Sequence, residues 1–322
     1  MQFGHVLGIA KPISRLVQGT LMVSAPDGTP GFDLFDAVFE MGCNTFDTAH
    51  AYLDGANERL VGQWVRERGL RERVVIIGKG ALPVEGRKRV TPADINADLG
   101  ESLERFQFDY IDLYLLHRDD ETQPVGPIVE VLNDHLKAGR IHAFGGSNWS
   151  HQRIQAANEY AATHGLTPFV ASSPNYSLAE QVKEPWEGCI TISGSHNAAA
   201  REWYGAHQTP LFTWSSLAGG FFTGRFTRDN LDTFDNYYDK LCVDSYCYED
   251  NFRRLDRVRE LAAETGLTIP QVAMAYVMSD PLDIYALVGC NTPAEFRANL
   301  DACAVKLDAA TLDWLDLRSD VR

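Results

Sequence analysis

The sequence lacks a long apolar run, an excess of positive charge and paired-cysteine motifs. No stretch approaches the roughly 18 apolar residues of a membrane-spanning helix, so we do not expect a membrane protein. The N-terminus also lacks the basic end, apolar stretch and small-residue cleavage site of a signal peptide. We therefore expect a cytoplasmic protein.

Basic residues are scarce, since 44 acidic residues against 29 basic residues give a formal net charge of −15. The densest basic cluster is the three-residue run 87–89. Nucleic-acid binding needs a basic stripe or patch, so we expect no nucleic-acid partner.

The six cysteines are scattered, and none forms a C-x-x-C pair. Cys242 and Cys247 have no histidine at the spacing of a metal-ligand set. This pattern predicts reduced thiols and no metal site.

The chain does have a regular alternation of β-rich runs and amphipathic helical stretches. The β-rich runs are Leu16–Thr20, Cys43–Asp47, Val74–Lys79, Ile111–His117, Ile141–Ser147, Phe169–Ser173, Leu211–Ser215 and Ile284–Gly289. The helical stretches are Phe32–Met41, Asn57–Arg68, Ala93–Phe106, Ile128–Ala138, His151–His164, Ala198–His207 and Pro270–Ser279, with two more at Arg253–Glu264 and Ala309–Leu317. Eight strand–helix units in 322 residues predict an α/β fold, a (β/α)8 TIM barrel that forms a single domain over residues 1–322.

Two segments complicate this count. Residues 189–193 (CITIS) also look like a strand, which could replace Leu211–Ser215 in the barrel or be an extra element; we favour the extra element. Residues 222–251 show no clear periodicity and are rich in Asp, Tyr and Phe. A stretch of this length is typical of a lid or binding loop, so we expect long loops at the C-terminal face of the barrel.

Polar residues fall at the ends of the predicted strands. Asp47, Lys79 and His117 end the second, third and fourth runs, and Ser147 ends the fifth. Barrel enzymes build their active sites at the C-terminal ends of the strands, so this placement predicts a catalytic site. The segment 46–52 (FDTAHAY) adds Tyr52 to the same end.

Five motifs in order resemble the aldo-keto reductase family. They are FDTAHAY (46–52), VVIIGK (74–79), DYIDLYLLHR (109–118), GRIHAFGGSNW (139–149) and WSSLAGGFFTGRF (214–226). The resemblance covers nearly the whole chain and implies a (β/α)8 barrel that binds NADPH, or less often NADH, in extended form.

The resemblance implies that Tyr52 is the general acid, that Lys79 and Asp47 form its supporting ion pair, and that His117 orients the carbonyl. A free tyrosine has a pKa near ~10. We expect the Lys79 ammonium to lower the pKa of Tyr52, and Asp47 to keep the ammonium charged. His50 is left as structural or substrate-lining.

The resemblance also implies a cofactor shell and a set of substrate contacts. The cofactor residues are Gly19, Thr20, Asp47, Ser147, Asn148, Ser173, Trp214, Ser215, Leu217, Gly219, Gly289, Asn291, Glu295 and Asn299. The substrate residues are Met22, Tyr52, His117 and Trp149. Within the shell, Ser147 and Asn148 would hold the nicotinamide carboxamide and Trp214 would stack on the nicotinamide ring.

Two residues depart from the family pattern. Ser173 stands where a carboxamide-binding glutamine is expected, and Glu295 stands where arginine or glutamine is common. A carboxylate at 295 would repel the 2′-phosphate of NADP, which favours NAD over NADP. Glu295 could instead complete a capping box with Thr292, and Arg297 lies nearby.

The sequence thus favours an NAD(P)H-dependent oxidoreductase that interconverts a carbonyl and its alcohol. The Tyr and Asp residues of 222–251 would suit a sugar-like substrate, although a solvated lid has the same composition. One alternative is a nicotinamide-nucleotide sensor with little turnover, and another is a lyase that uses Lys79 as a Schiff base. No pattern indicates an oligomeric state.

Overall fold

The computed structural model describes residues 1–23 and 31–322. Eight parallel strands close into a barrel, each hydrogen-bonded to its neighbours in chain order, with the last strand closing on the first. These strands are β3 (Leu16–Gly19), β4 (Thr45–Asp47), β5 (Val75–Gly80), β6 (Ile111–Leu116), β7 (Ile141–Ser147), β8 (Ala171–Ser173), β9 (Leu211–Thr213) and β10 (Ile284–Val288). The predicted (β/α)8 barrel is confirmed.

Alternation along each strand divides the core into two layers. In β5, Val75 and Ile77 point into the barrel interior, where they meet Leu113 and Phe212. Ile76 points outward into the larger cluster between strands and helices. This period-two pattern is what parallel strands buried on both faces require.

A short antiparallel hairpin precedes the barrel and was not predicted from the sequence. It consists of β1 (Phe3–Gly4) and β2 (Ile13–Ser14). Val6 and Ile9 of its loop pack with the interior layer of the barrel.

Helices connect the strands and surround them. They are α1 (Phe32–Glu40), α2 (Ala56–Glu67), α3 (Pro92–Phe106), α4 (Val125–Lys137), α5 (His151–His164), α6 (Ala198–His207), α7 (Tyr237–Tyr246), α8 (Glu249–Thr265), α9 (Ile269–Ser279), α10 (Pro293–Ala302) and α11 (Ala309–Leu315). The capping box that the sequence allows at Thr292 is formed at the start of α10, and another forms at Thr268 at the start of α9. None of the helices in the described residues is long and apolar enough to cross a membrane.

The two segments that complicated the strand count are resolved as follows. Residues Leu211–Thr213 form the barrel strand, and Thr191 of 189–193 makes a single parallel bridge to Asn175 outside the barrel. The preferred interpretation, an extra element, is therefore confirmed. Within 222–251, helix α7 forms without a strong apolar stripe, and its start is fixed by Asn236, whose side chain accepts from the Asp239 amide.

Candidate active site

The strands deliver the predicted polar residues to one end of the barrel. Gly19 of β3 pairs with Asp47 of β4, and Ser147 of β7 pairs with Ser173 of β8, each at the C-terminal end of its strand. Lys79 lies at the same end of β5. The topology therefore brings together residues that are far apart in sequence.

Tyr52, Lys79 and Asp47 form a continuous buried contact. The Lys79 Nζ lies 2.6 Å from Oδ1 and 2.7 Å from Oδ2 of Asp47. The same Nζ donates to the Tyr52 hydroxyl at 3.3 Å and to the Thr48 carbonyl at 3.0 Å. The His117 ring meets the Tyr52 ring edge-on, with 5.8 Å between centroids. The four residues of the predicted catalytic set are thus brought together.

Tyr52 is held by a tight turn with left-handed backbone. Leu53, Asp54 and Gly55 have φ values of 47°, 51° and 82°. A Cβ at Gly55 would lie 2.6 Å from the Arg105 guanidinium, so a larger residue does not fit without displacing it. His50 bonds to Glu101 at 2.8 Å, which makes it part of this outer scaffold.

The direction of the Tyr52 pKa shift is opposite to the one expected from the sequence. Burial raises the pKa of the Tyr52 phenol, and the Lys79 ammonium opposes this rise without reversing it. The nearby charge of Lys79 can be inferred from the sequence. The loss of solvent around the phenol, which disfavours the phenolate, depends on the whole fold and cannot be. The phenol therefore holds its proton at neutral pH.

The neighbouring groups have defined charges. Burial alone would lower the pKa of Lys79, but Asp47 and Tyr52 outweigh it and the net direction is upward. Burial, with help from Lys79 and Arg118, holds the pKa of His117 well below its usual value. Lys79 is thus an ammonium and His117 a neutral imidazole at pH 7.

A cavity of about 670 Å³ opens beside Tyr52 and extends to helix α10. Its lining includes twelve residues that the sequence assigned to the site: Gly19, Met22, Asp47, Tyr52, Trp214, Ser215, Leu217, Gly219, Gly289, Asn291, Glu295 and Asn299. Thr20, Lys79, His117, Ser147, Asn148 and Ser173 are not among the lining residues. The volume is that of an ordinary ligand site.

Trp149 lies elsewhere. Its side chain is fully buried, its indole donates to the Arg118 carbonyl at 3.0 Å, and its ring packs on Phe169. The proposed substrate site therefore does not include Trp149.

Ser147, Asn148 and Ser173 form a hydrogen-bonded group. The Ser147 hydroxyl donates to the Ser173 carbonyl at 3.1 Å, and the Asn148 amide donates to the Ser147 Oγ at 3.2 Å. The Ser173 Oγ and the Thr20 Oγ1 are buried without a hydrogen-bond partner. Unpartnered buried hydroxyls at the predicted carboxamide position are what a polar ligand there would satisfy.

The loop after β9 has the conformation of a phosphate cradle. Ser215, Ala218, Gly219 and Gly220 all have positive φ values, between 52° and 96°. An added Cβ at Gly219 would make ordinary contacts with the Tyr246 ring at 3.5 Å and with the Cys242 Cβ at 3.9 Å, so the positive φ is the feature that favours glycine there. A backbone of this kind can approach a pyrophosphate closely.

Arg225 is a cavity residue that the sequence reasoning did not assign. It lines the cavity and forms a double ion pair with Asp239 of α7. A signal was present, since the residue lies inside the glycine-rich 214–226 motif of an acidic chain. These features together fit an extended dinucleotide.

Glu295 has a structural contact as well as a cavity position. Its Oε2 accepts from the backbone amides of Asn291 at 2.8 Å and Thr292 at 3.3 Å. Both interpretations of Glu295 are therefore compatible with its geometry. Asn299, one turn further along α10, donates to the Glu295 carbonyl.

One buried side chain joins the loops around the cavity. The Asn175 amide donates to the Trp214 carbonyl and to the Tyr246 hydroxyl, both at 3.1 Å, and accepts from the Thr191 hydroxyl at 2.8 Å. The loop after β8, the 189–193 segment, the loop after β9 and helix α7 therefore meet at Asn175.

All six cysteines are free thiols. Within residues 1–23 and 31–322, no three His, Cys, Asp or Glu side chains are grouped as metal ligands would be.

Comparison with known proteins agrees with this geometry. Residues 16–317 match the model of the aldo/keto reductase family. A probable voltage-gated potassium channel subunit beta from Oryza sativa subsp. japonica is 28% identical over 282 residues, which is 84% of this chain and 81% of that protein. A probable aryl-alcohol dehydrogenase from Saccharomyces cerevisiae is 24% identical, over 88% of this chain and 86% of that protein.

Among solved structures, a glycerol dehydrogenase from Gluconobacter oxydans superposes with a TM-score of 0.79 at 23% identity, covering 98% of this chain and 94% of that one. At this identity the superposition supports the fold alone. The match to the family model spans nearly the whole chain, and the chain therefore belongs to the aldo/keto reductase family.

Proposed function

We propose that this protein is an NAD(P)H-dependent oxidoreductase that interconverts a carbonyl and its alcohol, with Tyr52 as the general acid and base. The observation that supports this most directly is the contact from the Tyr52 hydroxyl through the Lys79 ammonium to Asp47, at the edge of the cavity and beside His117.

In the reductive direction a bound nicotinamide cofactor supplies the hydride. Negative charge then develops on the carbonyl oxygen, and Tyr52, protonated at neutral pH, gives its proton to that oxygen. The Lys79 ammonium stabilises the phenolate that remains. The neutral His117 ring donates one N–H to the same oxygen and holds the carbonyl in place.

In the oxidative direction Tyr52 must first lose its proton to act as a base. The raised pKa makes this step unfavourable at neutral pH. We propose that reduction is the faster direction near pH 7 at equal cofactor concentrations.

The cofactor would occupy the cavity from Tyr52 to Asn299. Arg225 and the 215–220 backbone would hold the pyrophosphate, and Asn299 would contact the adenosine. Glu295 lies in the lining where a 2′-phosphate would approach, and its carboxylate disfavours that group. We propose a preference for NAD over NADP.

The residues that line the cavity favour a substrate with an apolar body over a sugar. Leu21, Met22, Pro185 and Trp186 all line the cavity. The carboxylates of 222–251 that suggested a sugar are engaged or remote: Asp239 pairs with Arg225, and Asp244 pairs with Lys183 outside the lining. An aromatic or aliphatic aldehyde is the substrate class we propose.

A nicotinamide-nucleotide sensor with little turnover is the second candidate. Support for it comes from Ser173 in place of glutamine and from the similarity to proteins named as potassium channel beta subunits. Mixing the protein and bound reduced cofactor with a reactive aryl aldehyde in a single turnover separates the two. An enzyme oxidises the cofactor within seconds, whereas a sensor leaves it reduced.

The central test is Tyr52→Phe, which removes the proton but keeps the ring. We expect kcat for aldehyde reduction to fall about 10²- to 10⁴-fold, the usual contribution of a general acid. The dissociation constant of NADH, measured by fluorescence, should stay within about twofold, since the hydroxyl is proposed to act on the carbonyl substrate rather than on the cofactor.

Tyr160→Phe is the matched control, because Tyr160 lies on α5 and donates only to Glu130. It should keep the original kcat. Normal turnover by the Tyr52→Phe variant would exclude the proposed acid role.

A further inference from the structure

Trp214 makes a contact that stacking on a nicotinamide ring does not require. Its indole Nε1 lies 3.2 Å from the Asn148 Oδ1 and donates to it. A phenylalanine or tyrosine at this position has no ring N–H to make this bond. The Trp214 side chain lines the cavity, whereas Asn148 is not among the lining residues.

The orientation of the Asn148 amide follows from the chemistry of its partners. The Oδ1 receives the Trp214 indole N–H and the Ile190 backbone N–H, both at 3.2 Å. The Nδ2 faces the His117 carbonyl at 3.3 Å, which can only accept. A flipped amide would set N–H groups against N–H groups, so only one orientation is compatible.

The backbone at Asn148 makes this side-chain anchoring more important. Its φ is 57°, in the left-handed region that asparagine tolerates better than most residues, and the residue lies in the turn at the end of β7. The Trp214 bond comes from β9, two strands away around the barrel. It therefore spans the position of Ser173, whose own hydroxyl makes no hydrogen bond.

We propose that Trp214 is a positioning residue: its indole N–H, together with the Ile190 amide, fixes the Asn148 side chain so that its Nδ2 holds the Ser147 hydroxyl, beside which the nicotinamide carboxamide would bind. In this chain the Trp214–Asn148 pair compensates for the missing glutamine at 173. The inference rests on the proposed nicotinamide cofactor and adds a residue that acts through another.

A double-mutant cycle on cofactor binding tests this directly. Trp214→Phe keeps an aromatic ring and removes the N–H together with part of the ring surface; the loss of surface is common to both arms of the cycle. In the otherwise unchanged protein it should weaken NADH binding about two- to tenfold, the factor for one hydrogen bond. In an Asn148→Ala background the part of this effect that the N–H supplies should be absent, so the factor should be smaller than in the unchanged protein, because the amide on which the N–H acts is gone.

Trp186→Phe is the matched control, since Trp186 lines the same cavity but donates its N–H to Tyr237. Its effect on NADH binding should be the same factor in both backgrounds. Asn148→Asp is a second background, in which the acceptor oxygen remains and the donor is lost; there too the Trp214→Phe factor should be smaller.

Equal factors for Trp214→Phe with and without the Asn148 amide would overturn the inference and leave stacking as the whole role of Trp214. Absence of NADH and NADPH binding by the unaltered protein would instead overturn the proposed function. The melting temperature of each variant without cofactor is recorded alongside, and a loss of binding that merely tracks a loss of folding also overturns the inference.

Discussion

At the N-terminal end of the barrel, a buried carboxylate has a full set of partners. Asp112 is completely buried near the start of β6, and it accepts from Lys11 at 2.7 Å, from Arg71 at 2.8 Å and from the Ile76 amide at 3.0 Å. At the C-terminal end, by contrast, Thr20, Thr48 and Ser173 have buried hydroxyls without partners, beside the Lys79–Asp47 ion pair.

The difference separates stability from function. A buried carboxylate whose two oxygens are both engaged resists change, because removing it leaves its cationic partners charged and unpaired. Polar groups left without partners cost stability in the free protein and are available to a ligand. In a TIM barrel the C-terminal ends of the strands carry the chemistry, and the opposite end carries the fold.

The largest expected effect tests the N-terminal network. Asp112→Asn keeps the shape but removes the charge that neutralises Lys11 and Arg71. We expect the free energy of unfolding to fall by about 3 kcal/mol, the cost of breaking a buried pair. The kcat of the folded protein should not change, since the site lies at the other end.

Chemical denaturation and steady-state kinetics measure the two quantities. Asp250→Asn is the control, because Asp250 makes an exposed ion pair with Arg253 and should cost less than about 0.5 kcal/mol. An Asp112→Asn variant that lost activity without losing stability would contradict this division between the two ends of the barrel.

His135 is an exception near the same end, and it yields a pH prediction. Both of its ring nitrogens are buried without partners, and burial, aided by Arg140, lowers its pKa to about 4. Because the folded pKa lies below the unfolded value, the fold disfavours the protonated ring. Protonation of His135 therefore does not affect the free energy of unfolding above about pH 6.5. As the pH falls towards 4, the free energy of unfolding decreases by about 3 kcal/mol in total.

His135→Leu removes this titration, so stability measured at pH 7 and pH 4.5 should fall less in the variant than in the unaltered protein. His207→Gln, a change at an exposed histidine of α6, is the control for the loss of a histidine as such. Identical slopes for all three proteins would show that His135 does not couple folding to protonation.

A third prediction concerns Tyr52 and decides between the two directions for its pKa. Since burial raises this pKa above its usual value near ~10, the phenolate fraction grows about tenfold per pH unit through pH 9. Alcohol oxidation, measured as kcat/KM, should rise with that slope from pH 7 to 9, while aldehyde reduction stays flat. A primary deuterium isotope effect confirms that hydride transfer limits the rate.

A plateau of the oxidation rate at or below pH 8 would instead support the lowered pKa expected from the sequence. Because Tyr52→Phe has no proton to lose, its residual oxidation should be independent of pH.

The smallest expected effect separates the two interpretations of Glu295. Glu295→Gln removes the charge and can keep the cap, as Gln271 does in α9, whereas Glu295→Arg removes the cap and adds positive charge. We expect the NADP/NAD ratio of kcat/KM to rise about threefold for Gln and about tenfold for Arg, on the scale of exposed charge interactions. An unchanged ratio in both variants would leave capping as the role of Glu295.

The strands and most helices could be predicted because each barrel unit repeats a local pattern. A strand buried on both faces is a short apolar run, and the helix after it has its own period and caps. The hairpin β1–β2 was not predicted because two-residue strands are too short to show a period in the sequence. Helix α7 was not predicted because its apolar residues do not form a single stripe along the helix.

The sequence predicted most of the residues that meet at the strand ends, but it did not predict their pKa values. Strand ends indicated Asp47, Lys79 and His117, and the family motif supplied Tyr52. Burial is set by the whole fold, so the sequence could not indicate that desolvation outweighs Lys79 at Tyr52. For the same reason it could not show that Trp149 faces away from the cavity.

The contacts of Asn175 have a consequence for protein engineering. Loops of a TIM barrel are attractive units for exchange, because each is usually anchored only by its own strand and helix. Here the amide of one residue is shared by the 189–193 segment, the loop after β9 and helix α7. A graft that replaces any one of them must supply a group that Asn175 can bond, so these segments are expected to be exchanged together.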